Sequence, residues 1–304
     1  REDKLMFEHS IVERLYENQS PPVAKVHKTR EGKTYFQRLN SAGSNSYTYY
    51  AIFDFLPGED RYTWVSPKCN GTEIVQSAHV LAQFHQALFG FQPAGSCVEP
   101  KILDLLPKIH AYTEATARIS KHTVFDQYLQ DNLKLQLRSI EQTLQALASP
   151  DARDMVHTII HCDYHPGNLK FTGDEITGLF DFDWSKVDAR CFDVGLALWY
   201  FFASWSESND GEMDLVGMKL FLRAYQEALR DSAGLQPLNQ TELKYLPQMI
   251  SAGNLYVLNW TLLDYFNKDI DPDEYLVYLK HNVNSTRWYK EGGREKLSEA
   301  MTTL

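Results

Sequence analysis

No stretch of this sequence is long and apolar enough to span a bilayer as a helix. The longest apolar run, Val194 to Ala203, falls far short of the ~20 residues a spanning helix needs. A charged and apolar leader is also missing at the start, so the expectation is a soluble, cytoplasmic chain with no membrane partner. Basic charge is scarce: 30 Lys and Arg stand against 40 Asp and Glu, for a net charge of −10. Without a Lys/Arg stripe to displace counterions, nucleic acid and anionic lipid are poor partners, and a cationic small molecule suits the chain better. Cysteine is sparse. Cys69, Cys97, Cys162 and Cys191 have neither the CxxC spacing of a zinc site nor the density of a secreted disulfide framework, which implies a reducing compartment. Repeats and low-complexity tracts are absent too.

What is present is an ordinary globular composition over 304 residues, 43% hydrophobic and 23% charged, enough for one two-lobed unit. From Glu2 to Asn18, Leu5, Glu8, Val12 and Leu15 recur at helical spacing until Pro21-Pro22 stops them. Short strands are predicted at Val23 to Val26, Thr34 to Arg38 and Tyr47 to Phe55, separated by Arg-Glu-Gly-Lys and Ser-Ala-Gly-Ser-Asn turns. Beyond Pro57-Gly58 the pattern turns helical. Helices are predicted over Glu73 to Phe89, Lys108 to Ile119, Phe125 to Leu147, Val194 to Trp205, Met213 to Arg230, Thr241 to Phe266 and Pro272 to Thr303. His85 lies on an apolar helical stripe and reads as a hydrogen-bonded core histidine.

One stretch breaks this rhythm. Ile159-Ile160 lead into His161-Cys-Asp163-Tyr-His165-Pro-Gly-Asn168, a polar run that no packed strand would carry. Alternation resumes through Phe171, turns at Thr172-Gly173-Asp174, and returns from Ile176 to Phe180 before Asp181-Phe-Asp183-Trp184. A hairpin of that length brings Asn168 and Asp181 side by side at the mouth of the loop holding Asp163. Protein kinases space a proton-accepting Asp, a metal-binding Asn five residues on and a second metal-binding Asp in the same way. His161 and His165 are not a zinc pair on one helix, because Pro166-Gly167 forbids the helix; His161 reads as scaffold. Asp183 reads either as a third metal ligand or as a cap for the turn at Ser185.

His161-x-Asp163-x-x-x-x-Asn168 followed by Asp181-Phe-Asp183 resembles the signature of the aminoglycoside phosphotransferase and choline kinase superfamily. The resemblance implies an α+β, two-lobed, protein-kinase-like fold: a small β-rich lobe over 1–56, apparently truncated, and a helical lobe over 57–304. It implies transfer of the ATP γ-phosphate to a hydroxyl of a small-molecule acceptor, with ATP and Mg2+ as cofactors. Asp163 would be the catalytic base, Asn168 and Asp181 the metal ligands, and Asp193 a structural residue beneath the catalytic loop. Glu8 matches the first-lobe Glu that pairs with a strand Lys, or is only the edge of an amphipathic helix. Asp54, Phe55 and Leu56, just before Pro57-Gly58, match the hinge that binds the adenine edge. A Gly-rich phosphate loop and the strand Lys are expected upstream of Arg1. The alternative of another class is a catalytically dead kinase fold used for binding. Aminoglycoside-like amine-bearing alcohols, homoserine, choline and sugars all remain open as acceptors. Trp184, Trp260 and Asp264 are the candidate acceptor contacts; the acidic groups at 207–214 and 264–274 are either a solvated surface or part of the acceptor cleft.

Overall fold

The computed structural model describes residues 2–40, 46–97, 99–119 and 121–302. Helix α1 (Glu2–Asn18) buries Phe7, Ile11, Val12 and Leu15, so the apolar face is rotated from the predicted stripe and Glu8 sits at its edge. Strand β1 (Phe36–Leu39) pairs antiparallel with β2 (Tyr47–Tyr50), and nearly all of their side chains are exposed. The predicted strands at 23–26 and 51–55 reduce to isolated bridges, Val23 to Leu179 and Val26 to Phe53. A ribbon without a packed face cannot hold long ladders. Two backbone bonds, His27 N–H to the Ile52 carbonyl at 2.8 Å and Asp54 N–H to the Lys25 carbonyl at 2.9 Å, keep the segments aligned. The predicted turn at Ser41 to Asn45 lies outside the described residues.

Pro57-Gly58 then turns the chain into the helical part. Gly58 has φ +113°, and a Cβ there would overlap the Thr177 hydroxyl and press on the Phe171 carbonyl, so only glycine fits. Beyond it, Glu59 and Phe171 exchange both backbone hydrogen bonds, at 2.8 and 3.1 Å. Helix α2 (Gly71–Leu88) opens on a capping box between Asn70 and Glu73. Helix α3 (Ile102–Thr116) starts earlier than predicted because Pro107 is accommodated inside it rather than ahead of it. Helix α4 (Val124–Leu147) is capped by Thr123, as its sequence predicts.

Next, β3 (His157–Ile160), β4 (Leu169–Thr172), β5 (Glu175–Leu179) and β6 (Lys186–Ala189) form two antiparallel pairs, β3 with β6 and β4 with β5. The β4–β5 hairpin follows the predicted pattern; the β3–β6 pairing lies between segments too far apart for local pattern to reveal. Helix α5 (Arg190–Phe202) is buried along its whole length. It lies against α7 (Gln240–Asn267), where a Cβ on Gly195 would stand 2.7 Å from the Met249 carbonyl carbon. Helix α6 (Leu215–Leu229) covers α2. The long C-terminal helix read from sequence is two: α8 (Pro272–Trp288) and α9 (Arg294–Thr302), broken where Gly292 takes φ +101°. No helix among the described residues is long and apolar enough to cross a membrane. Helix α5 packs against both strands of the β3–β6 pair.

Candidate active site

The loop after β3 is held from below by Asp193 of α5. Its buried carboxylate accepts the backbone N–H of His161 at 2.9 Å, that of Cys162 at 2.7 Å and His85 Nε2 at 3.0 Å. Burial works against that charge, but the His85 hydrogen bond, the imidazoles and the His161 N–H outweigh it and hold the carboxyl below its ordinary value. His85 Nδ1 lies 2.8 Å from the Tyr225 hydroxyl, so this histidine is fully engaged in the core. His161 Nε2 donates to the Phe180 carbonyl at 3.1 Å, and burial lowers its pKa, so the ring is a neutral strut between the two loops.

Asp163 projects from this clamped loop. Tyr200 of α5 donates to its Oδ1 at 3.0 Å, and Asn168 Nδ2 donates both to its Oδ2 at 3.1 Å and to its backbone carbonyl at 2.9 Å. His165 Nδ1 accepts the Gly167 N–H at 3.0 Å, which puts the ring proton on Nε2, 3.6 Å from Asp163 Oδ2. Burial alone would push Asp163 up; His165, then His161, then the Tyr200 hydroxyl reverse this and keep the carboxyl below its ordinary value. With Nδ2 turned to Asp163, the Asn168 side-chain oxygen is the end left for a cation. The Phe180 N–H donates to the Asn168 carbonyl at 3.2 Å, which sets Asp181 beside it.

Asp181 and Cys162 both adopt φ 65°. The Asp181 carboxyl is pushed up by burial and then by the charges of Asp163 and Asp183. Asp183 turns toward Glu8 of α1; the turn at Ser185 is closed by its own N–H to the Phe182 carbonyl at 2.9 Å, so Asp183 is not its cap. Glu8 is raised to about 7 by burial, then by the charge and hydrogen bond of Asp183, with Lys4 opposing. These crowded carboxylates with one amide oxygen are the donor chemistry of a hard divalent cation. Among the described residues no group of three or more His, Cys, Asp or Glu is arranged to hold a metal ion.

The sign of the Glu8 shift gives a test in this chain. With its folded pKa near 7 against an ordinary 4.5, its contribution to stability is complete below the ordinary value and lost as pH rises through the folded one. Glu8→Gln should therefore raise Tm at about pH 8 and leave it unchanged at about pH 4. Equal melting of the two proteins at the higher pH would contradict the Glu8–Asp183 pairing.

Asp54 Oδ1 lies 2.6 Å from His27 Nε2, and both side chains are exposed. Phe55 is 87% exposed, and the backbone N–H groups of Phe55 and Leu56 have no partner among the described residues. The hinge segment thus offers backbone edges rather than side chains.

A cavity of about 250 Å³ opens onto Asp163 and Asp181 and is walled by Trp64, His165, Trp184, Tyr200, Tyr256 and Trp260. Trp184 and Trp260 are there as expected, but Asp264 does not line the cavity. Its carboxylate accepts from the Tyr275 hydroxyl at 3.2 Å and pairs with Lys268 at 2.7 Å, so it is neutralised within its own helix end. Three more of these acidic residues are committed: Asp214 and Asp271 cap helices, and Asp210 binds His281 and Asn284, whereas Glu212 borders a separate hollow. Trp64 and the anchoring role of Tyr200 escape sequence reading, because a lone Trp in a polar loop and a Tyr in an all-apolar helix carry no local signal.

A clamped Asp–Asn loop, an Asp on the adjoining hairpin and a hinge between a strand-rich part and a helical part define the protein-kinase-like fold. The phosphotransferase enzyme family model matches residues 1–238. The chain belongs to the phosphotransferase enzyme family. It is 29% identical over 150 residues to a homoserine kinase from Parvibaculum lavamentivorans, a match that covers 47% of this chain and 43% of that protein. The chain thus aligns with less than half of that relative's length. An aminoglycoside phosphotransferase from Alicyclobacillus acidocaldarius superposes with a TM-score of 0.66 at 15% identity, covering 98% of this chain and 83% of that one. Amicoumacin kinase in complex with AMP-PNP and Ca2+ superposes at 0.64 with 15% identity, covering 97% and 78%. At such identities the likeness is one of fold.

Proposed function

We propose that the chain is the hinge and acceptor-binding part of an ATP- and Mg2+-dependent kinase acting on a small amine-bearing alcohol. In this reading residues 1–56 belong to the nucleotide-binding lobe and residues 57–304 form the catalytic lobe. The observation that carries it is the meeting of Asp163 and Asp181 on one cavity, with Asn168 hydrogen-bonded to Asp163 behind it. Asp163, ionised at neutral pH, accepts a hydrogen bond from the acceptor hydroxyl and aims its oxygen at the γ-phosphorus. As the new P–O bond forms and the bond to the bridging oxygen breaks, the hydroxyl proton passes to Asp163 and ADP leaves. Tyr200 and Asn168 fix the two carboxylate oxygens during this step. Mg2+, when bound by Asn168 and Asp181, supplies neutralisation of phosphate charge. Phe55 and Leu56 present their backbone to the adenine, and Glu8 faces the phosphate end of the cleft.

Size and wall chemistry support the acceptor class. A cavity of about 250 Å³ lies below the roughly 300–1,000 Å³ typical of drug-sized ligands, which favours a short acceptor over an aminoglycoside. Indole and phenol faces beside two carboxylates attract an ammonium group. The name of the homoserine kinase relative fits an alcohol of this kind. The test is phosphate transfer from ATP, with Mg2+, to short amine-bearing, neutral and anionic alcohols at low and high salt. Transfer to the amine-bearing alcohols should dominate, with KM rising as salt rises. A preference for neutral or anionic acceptors would sink the cationic reading, and no transfer to any acceptor would sink the kinase reading.

A further inference from the structure

Next to the acceptor cavity lies a second, more open hollow of about 670 Å³, bordered by Ser66, Lys68, Trp205, Asn209 and Glu212. Trp64 lies in the wall of the inner cavity, and its chain neighbours Val65 and Ser66 lie in the wall of the outer one. The Trp64 ring meets Tyr200 and Trp260, both in the wall of the inner cavity, with centroids 6.3 Å away in each case. Its other contacts are Trp205 at 5.2 Å and Tyr278 at 4.7 Å, and Trp205 belongs to the wall of the outer hollow. This cluster is anchored from behind: Trp205 stacks on His281 at 3.6 Å, and His281 Nδ1 is 2.5 Å from Asp210.

We propose that Trp64 sets the upper size limit of the acceptor, confining it to the inner cavity and barring polyhydroxylated, amine-bearing rings that would extend into the outer hollow. This rests on the acceptor reading given above. The outer wall has the chemistry to hold such a ring once it is reached. The Asn209 side chain, the Glu212 carboxylate and the Ser66 hydroxyl match hydroxyl and ammonium groups, whereas the inner wall is largely aromatic. Truncating the indole would join a small space to one more than twice its size. A short acceptor would lose a wall, and a larger one would gain room with its reacting hydroxyl still at Asp163.

The experiment compares wild type, Trp64→Ala, Trp64→Phe and Trp205→Ala, each in the full-length protein, using a short amino alcohol and an aminocyclitol glycoside as acceptors. Calorimetric binding of both is measured alongside turnover. Trp64→Ala should raise kcat/KM for the glycoside at least about ten-fold and raise KM for the short acceptor, with Trp64→Phe close to wild type. Trp205→Ala removes the outer support of the Trp64 ring without touching the inner wall and should move glycoside binding in the same direction. If wild type already takes the glycoside as well as the short alcohol, the size limit does not exist. If Trp64→Ala folds and turns over the short acceptor without gaining the glycoside, the proposal is overturned and the kinase reading stands. If Trp64→Ala does not fold, unchanged glycoside binding in Trp205→Ala overturns it. If no protein transfers phosphate to anything, the kinase reading fails, and the size limit is then judged by whether the glycoside binds the variants and not wild type.

Discussion

Asp163→Asn lowers phosphoryl transfer by about 10²- to 10⁴-fold, the range for losing a positioned proton acceptor. The amide is isosteric and keeps a hydrogen bond to Tyr200 or Asn168, so the loop, still clamped by Asp193, retains its shape. What disappears is the charge that draws in the hydroxyl proton. Because Asp163 is held below its ordinary pKa, it is a weak base and acts as much by aiming the hydroxyl as by removing the proton. Nucleotide affinity should therefore stay near wild type while kcat and kcat/KM fall together. Turnover above about a tenth of wild type in a correctly folded Asp163→Asn would remove Asp163 from the role of base.

Asp181→Ala, in the full-length protein, abolishes the Mg2+ dependence of nucleotide binding. Asp181 sits in a patch where burial and the charges of Asp163 and Asp183 already oppose its ionisation, so its carboxylate is an energetic burden without a cation. Its removal should leave the apo protein at least as stable as wild type while Mg2+ no longer tightens ATP binding. A purely structural role predicts the reverse, a lower Tm with the Mg2+ effect intact. Calorimetry of ATP with and without Mg2+, together with thermal melting of the apo proteins, separates the two.

The placing of the candidate site residues was legible in the sequence because it is local: Asp163, Asn168 and Asp181 lie within one loop and one hairpin, where spacing and turn chemistry dictate geometry. The helices were legible for the same reason, through caps such as Thr123 and stops such as Pro21-Pro22. The cavity wall was not, since Trp64, Tyr200 and Tyr256 come from three distant segments whose meeting depends on the packing of α5 against α7. Asp264 misled for a related reason. A carboxylate on an apolar helix next to Trp260 reads as a cavity charge until Lys268 and Tyr275 are seen to neutralise it. The split of the last helix at Gly292 and the continuation of α3 through Pro107 depend on backbone angles that composition alone does not determine.

Cys162 holds a left-handed backbone, φ 65°, directly beside Asp163, with its N–H tied to Asp193 at 2.7 Å. An L-residue there gives up roughly 1–2 kcal/mol that glycine does not, and its thiol also occupies a place in the cavity wall. Cysteine to glycine would relieve the backbone and widen the cavity, but it would also empty a fully buried side-chain position and free the unfolded chain, so room at this place is gained at the expense of packing.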